Sequence, residues 1–228
     1  MDFFAIISVI LHIFITSKSY NLICNTTRKE QYFFIFYTVI VEFVVEFFFY
    51  SIYLSGLGIE KFLYPFILYA YFIWFKKFDK YRGVFLSFLL SLLYHSTHTF
   101  IAVTLSSITG DELALHYESI FFLVVLLLTY FVILKTIRYF HLEIKYFDKD
   151  YLYPFLKKVT VAFFGLHILL FISDIVSTTH HLNSFGSILS TIVFICLLLV
   201  FFAMNSYKVQ IEKEIALKQK KFEQKHLQ

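Results

Sequence analysis

Five ionisable side chains interrupt apolar stretches of the sequence. Glu42 and Glu46 are four residues apart, and His95 and His98 are three apart, so each pair shares one face of a helix. Asp174 lies in a third apolar stretch. Ionisable groups inside a hydrophobic segment are costly, so each is a candidate for a binding site. The alternative interpretation is that some of them lie at a membrane interface rather than at depth.

The same residues raise the possibility of a metal-dependent hydrolase. His95 and His98, with Glu46 or Asp174, would be the ligands of an ion that activates water. Zinc-binding histidines on one helix usually stand four residues apart with a neighbouring glutamate base, and neither feature occurs here. The sequence therefore predicts no metal site, and a hydrolase is only an alternative function.

The segments that must position these residues are membrane helices. Hydrophobic residues make up 59% of the 228 positions and charged residues only 16%, a balance that polar surface could not cover in water. Continuous apolar runs favour helices over barrel strands, whose residues would alternate. The prediction is an all-α polytopic transmembrane bundle, with seven spans near residues 3–22, 32–54, 59–75, 84–105, 120–139, 159–177 and 185–204. The third is the weakest, because its uninterrupted apolar part runs only from Phe62 to Phe75.

Basic residues predict the orientation of the bundle. Nineteen of the twenty lysines and arginines fall in alternate loops and in the C-terminal tail, and only Lys61 falls on the other side. Lysine and arginine are retained on the cytoplasmic side of a membrane. We therefore expect a multi-pass protein of the cell membrane, with its N-terminus outside and its C-terminus inside. The basic excess is explained by this topology, so no nucleic-acid partner is expected.

The predicted outer face is acidic. One interpretation is that carboxylates are tolerated where basic residues are excluded. The other is that this face attracts a cationic ligand. The predicted ligand-binding residues are Glu46, Glu60, His95, His98, Asp111, Glu112, His116, Glu118 and Asp174.

The tail, residues 205–228, favours a helix that continues the last span. It lacks glycine and proline and is rich in lysine, glutamate and glutamine. Met204, Ile211, Ile215 and Phe222 form a sparse heptad seam, so we predict these four as signal-output residues in a parallel coiled coil of a homodimer. A solitary solvated helix is the alternative.

Four strings resemble one family of receptors. They are SSITGD at 106–111, FDKDYLYPFLKK at 147–158, HLNSFGSILS at 181–190, and FFAMNS at 201–206 followed by KVQIEKEIALK at 208–218. They closely resemble the streptococcal receptor histidine kinases for competence-stimulating peptides, and the resemblance extends over essentially the whole chain. It implies a membrane domain, residues 1–204, that binds a secreted cationic peptide pheromone in quorum sensing. It also implies that the signalling helix from residue 205 leads to a kinase and a cytoplasmic response regulator of a two-component system.

The sequence departs from that family in one respect. It stops at Gln228, without the phosphoacceptor segment or the ATP-binding boxes, and His226 is not followed by an acidic residue. We therefore expect no cofactor and no kinase activity in this chain, since ATP and Mg belong to the kinase domain by resemblance. A small transporter is the remaining alternative, but Pro65 and Pro154 do not form the paired interruptions that transporters use.

Overall fold

The chain folds into a bundle of α-helices in a computed structural model that describes residues 3–51, 59–109, 120–142, 153–179 and 183–226. Seven helices and no strand occur in these ranges. They are α1 (Phe3–Cys24), α2 (Arg28–Ser51), α3 (Ile59–Trp74), α4 (Lys80–Thr109), α5 (Ile120–Tyr139), α6 (Tyr153–Thr179) and α7 (Asn183–His226). The predicted all-α fold is confirmed, and each predicted span coincides largely with one helix.

Length and hydropathy identify the helices that suit a membrane. Over the described residues, four helical segments are long and apolar enough to cross one: Lys80–Ile108, Phe121–Tyr139, Pro154–Ser173 and Ile188–Gln224. Two shorter apolar segments are Val9–Cys24 and Phe62–Trp74. The second of these is the predicted weak third span. The protein is thus a membrane-embedded helical bundle, while the number of crossings and their orientation stay predictions.

Helix α4 forms the centre of the bundle. Every residue from 85 to 97 is buried, so the helix is covered on all sides. Small residues recur at every fourth position, Gly83, Ser87 and Ser91, which is the pattern that allows membrane helices to approach closely. At Gly83 an added Cβ would lie 2.9 Å from Cδ1 of Ile73 in α3. The lack of a side chain at this position therefore sets how closely α3 packs on α4.

Helices α1, α3 and α5 end at turns that are rich in lysine and arginine, and we call these the basic ends of the helices. Local hydrogen bonds close them. Asn25, Lys77 and His141 have φ values of 49°, 52° and 50°, and they follow the last turns of α1, α3 and α5. A left-handed residue after a helix allows the next N–H groups to satisfy the last carbonyls. The Phe78 N–H donates to the Phe72 carbonyl at 3.1 Å, and Leu142 N–H donates to Ile137 at 3.1 Å.

A capping box begins α2 and also joins it to the end of α3. The Thr27 N–H donates to Glu30 Oε2 at 2.9 Å, and the Glu30 N–H donates to Thr27 Oγ1 at 3.4 Å, so each residue satisfies the other. The second carboxylate oxygen, Oε1, accepts a hydrogen bond from Lys76 Nζ in an ion pair. Glu30 thereby connects the α1–α2 turn to the α3–α4 turn.

Helix α7 continues without a break from the bundle into the charged tail. Its 44 residues correspond to a rod of roughly 66 Å. Val193, Leu197 and Phe201 are buried in the main core, whereas the side chains from Lys218 to Gln224 are exposed. The predicted continuation of the last span into a helical tail is therefore observed.

Candidate functional site

Three histidines and two tyrosines pack together inside the bundle. They are His12 of α1, Tyr64 of α3, and Tyr94, His95 and His98 of α4, and we call them the histidine–tyrosine cluster. The His12 ring stacks on Tyr94 with centroids 4.1 Å apart, and Tyr94 stacks on His98 at 5.7 Å. His95 meets Tyr64 at 5.4 Å and His12 at 6.1 Å, edge to face. His98 also meets Phe122 of α5, so the cluster joins four helices.

The helices place this cluster well inside the bundle. His12 precedes Cys24 by roughly 18 Å along α1, and His95 follows Lys80 by roughly 22 Å along α4. Both distances start at the basic ends of the helices. The cluster therefore lies near the middle of α1 and α4, well away from the lysine-rich turns.

Buried hydroxyl groups extend the polar region toward the basic end. Thr16 lies one helical turn from His12, and Ser91 lies one turn from His95. Thr16, Ser17 and Ser91 are fully buried, and their hydroxyl oxygens have no hydrogen-bond partner among the described residues. These hydroxyl groups make this part of the bundle core more polar than the apolar core around it.

The structure brings together two of the predicted ligand-binding residues. His95 is buried against α1 and α3, whereas His98 is partly buried and packs toward α5. Although the two share a helix face, they contact different neighbours. The structure describes the backbone of Glu46 in α2, Glu60 in α3 and Asp174 in α6, but not their side chains. Asp111, Glu112, His116 and Glu118 lie outside the described residues altogether.

Two histidines inside the bundle were not predicted from the sequence. His12 is partly buried and stands alone in its apolar run, so no spacing pattern identified it as part of a site. His167 of α6 is buried, and its Nε2 lies 3.1 Å from the Phe62 carbonyl of α3. His167 therefore connects α6 to the first turn of α3.

The cluster offers hydrogen-bonding and stacking groups rather than a metal centre. Among the described residues, no group of three His, Cys, Asp or Glu side chains is arranged to hold a metal ion. Imidazole rings can donate and accept hydrogen bonds, and their stacking depends on the relative positions of α1, α3, α4 and α5. A shift of one helix would therefore change several of these contacts at once.

The predicted output residues divide into two groups. Met204 is 1% exposed and belongs to the core of its own chain, and Ile211 packs against that core. Ile215 is half-buried, while Phe222 is 66% exposed. A partner helix would therefore meet the seam beyond Met204, mainly at Ile215 and Phe222.

Helices α6 and α7 are joined at both ends of their contact. The hydroxyl oxygens of Ser173 and Ser190 lie 2.8 Å apart in a buried hydrogen bond. Near the other end, Tyr207 stacks on Phe155 with ring centroids 4.1 Å apart. Tyr207 lies where α7 leaves the bundle, so a movement of α6 would reach the tail through this contact.

Comparisons with known proteins provide no family for the chain. No family model, no curated protein and no solved structure matches it. The resemblance to competence-peptide receptors therefore stays a hypothesis that depends on the quoted strings, and function is inferred from the packing of α4 and α7.

Proposed function

We propose that this chain is the membrane sensor part of a signalling receptor whose output element is α7. The observation that carries the proposal is the unbroken course of α7 from the buried core to an exposed, charged tail. A flexible joint between the buried part of α7 and its tail would prevent a movement of the buried part from reaching the tail. A continuous helix instead transmits rotation or translation over its whole length.

Contacts with α4 and α6 support a coupled movement of α7. Phe194 stacks on Phe100 of α4 at 4.4 Å, and Phe201 meets Phe163 of α6 at 6.1 Å. Packed interfaces of this kind tend to switch between discrete arrangements rather than deform continuously. A ligand that binds two such arrangements with unequal affinity shifts the position of α7.

The proposed ligand is a secreted, cationic, amphipathic peptide. The acidic residues of the predicted outer face would concentrate it by long-range attraction, which affects the association rate more than the affinity. Burial of the apolar face of the peptide against aromatic side chains would supply most of the affinity. This part of the proposal is supported by the sequence alone.

The proposed partners are a second copy of the chain and, through it, a kinase. Ile215 and Phe222 lie on the tail seven positions apart, as in a heptad repeat, and would face a second tail helix. By resemblance, the signal would reach an ATP- and Mg-dependent histidine kinase domain and a response regulator that controls competence.

Charge reversal at Asp111, Glu112 and Glu118 tests the capture step. In lipid nanodiscs, the triple Lys variant should bind a synthetic basic amphipathic peptide more slowly, and added salt should no longer slow its association. Glu214→Lys, in the tail, is the matched control and should leave the rate unchanged. Equal rates for the triple variant and the parent would reject electrostatic capture.

A further inference from the structure

A groove at the basic end of the bundle lies between the first turns of α2 and the end of α3. Its volume is about 450 Å³, within the range of small-molecule sites, roughly 300–1,000 Å³. Its lining combines three charged side chains with five aromatic rings: Lys29, Glu30 and Lys76, and Tyr32, Phe33, Phe36, Tyr71 and Phe75. The groove is therefore amphipathic.

The aromatic part of the groove is a built wall of rings. Phe33 packs edge-on against Phe75 with centroids 5.1 Å apart, and Tyr37 meets Phe75 at 5.7 Å. The Tyr37 hydroxyl donates to the Ile67 carbonyl at 2.8 Å, which connects α2 to α3 beneath these rings. The wall is thus held by contacts between the two helices, while Tyr32 and Phe36 remain exposed beside it.

The charged part of the groove carries an excess of positive charge. Lys29 is exposed, and Lys76 is held by Glu30. The Glu30 carboxylate is already engaged by Thr27 and Lys76, and these bonds hold its pKa below the usual range. Since the carboxylate stays charged, it neutralises one of the two lysines and leaves the other to attract an anion.

Distances along α2 match the layers of a membrane. Lys29 and Phe36 are seven positions apart, which is roughly 10 Å along a helix. A cation at headgroup level and rings at the level of the upper acyl chain fit one amphipathic molecule. We propose that this groove binds an anionic phospholipid, with its phosphate at Lys29, beside the Lys76–Glu30 ion pair, and an acyl chain along Phe33, Phe36 and Phe75.

Titration with phosphatidylglycerol, with phosphatidylcholine as the comparison, tests the charged part of the site. Native mass spectrometry of the whole chain in detergent should show tighter binding of phosphatidylglycerol. Lys29→Gln should weaken that binding about fivefold, as expected for the loss of one surface charge. Lys158→Gln, an exposed lysine on α6, should change it little. Equal affinity for the two lipids, or an equal loss in both variants, would overturn the proposal.

A second pair of matched variants tests the apolar part of the site. Phe36 is 62% exposed in the groove, and Phe131 is 59% exposed on α5 outside it. Phe36→Ser should weaken phosphatidylglycerol binding several-fold more than Phe131→Ser. Glycerol phosphate, which has the charge but no chains, should fail to compete. Effective competition by glycerol phosphate would show a bare anion site and overturn the lipid assignment.

Discussion

Helices α4 and α7 are the longest in the bundle, but they differ in how their surfaces are used. α4 is covered on every side from residue 85 to 97, with small residues where α3 approaches. α7 buries one face within the bundle, through Val193, Leu197 and Phe201, and ends in an exposed, charged stretch. The difference indicates that α4 determines the packing of the other helices, whereas the exposed C-terminal end of α7 can carry a movement away from the bundle. Substitutions should therefore affect stability in α4 and coupling in α7.

The largest expected effect is at Gly83. Gly83→Leu would force a side chain into the space held by Tyr69 and Ile73, and overpacking of this kind costs about 3 kcal/mol. Gly165→Leu is the matched control, because nothing lies within 4 Å of an added Cβ in α6. Thermal unfolding in detergent, followed by circular dichroism, should show a large loss of stability only for the first variant.

Equal loss in the two glycine variants would contradict the close approach of α3 and α4. Gly83→Ala is a milder test of the same contact. The atom nearest to the alanine Cβ is Cδ1, at the far end of the Ile73 side chain, which can change rotamer. The loss of unfolding free energy should therefore be much smaller than for leucine.

The buried hydrogen bond between Ser173 and Ser190 should have an intermediate effect. A double-mutant cycle with Ser173→Ala and Ser190→Ala should give a coupling energy of about 0.6 kcal/mol, the typical value between membrane helices. Thr160→Ala with Ser190→Ala is the control, because the Thr160 hydroxyl donates to the Leu156 carbonyl within α6. A coupling energy near zero for the serine pair would remove this link between α6 and α7.

The smallest expected effect is at Glu30, and it depends on pH. Lys76 and the Thr27 backbone lower the pKa of Glu30 in the folded state, so the unfolded chain binds more protons at acidic pH. The stabilisation is present above the unfolded pKa of about 4.3 and is lost as pH falls through the lower folded pKa. The Glu30 side chain is 38% exposed, so solvent screening keeps the effect to about 0.5 kcal/mol.

Glu30→Gln should therefore lower the unfolding free energy slightly at neutral pH and not at all at strongly acidic pH. Glu214→Gln, in the exposed tail, is the control and should show no such pH dependence. A difference between Glu30→Gln and the parent that persists at strongly acidic pH would contradict the assigned ion pair.

Much of the fold could be predicted from the sequence because apolar length determines membrane helices. The short third apolar helix could be predicted in this way, whereas the helical tail was predicted from its lack of glycine and proline. The T-x-x-E capping box at Thr27 was also present in the sequence, but its bond to Lys76, 46 positions away, depends on how α2 and α3 pack. A local sequence pattern predicts a helix or its cap, whereas the contacts between helices can be identified only in the assembled bundle.

The site was predicted less completely for the same reason. His95 and His98 were identified because two histidines close in sequence form a pattern. His12 and His167 form none, and their importance comes from Tyr64, Tyr94 and Phe62 on other helices. Of the predicted acidic residues, Asp111, Glu112 and Glu118 lie outside the described residues. For Glu46, Glu60 and Asp174 the structure describes the backbone but not the side chain.

The most direct test of α7 as the output element is to interrupt it. A fluorescent label at Ile215→Cys, with Cys24 and Cys196 replaced, would report tail movement in nanodiscs when a basic amphipathic peptide is added. A short glycine insertion after Asn205 should abolish this change and leave peptide binding intact, whereas the same insertion after Gln219 should preserve it. An undiminished signal with the insertion after Asn205 would contradict transmission along α7.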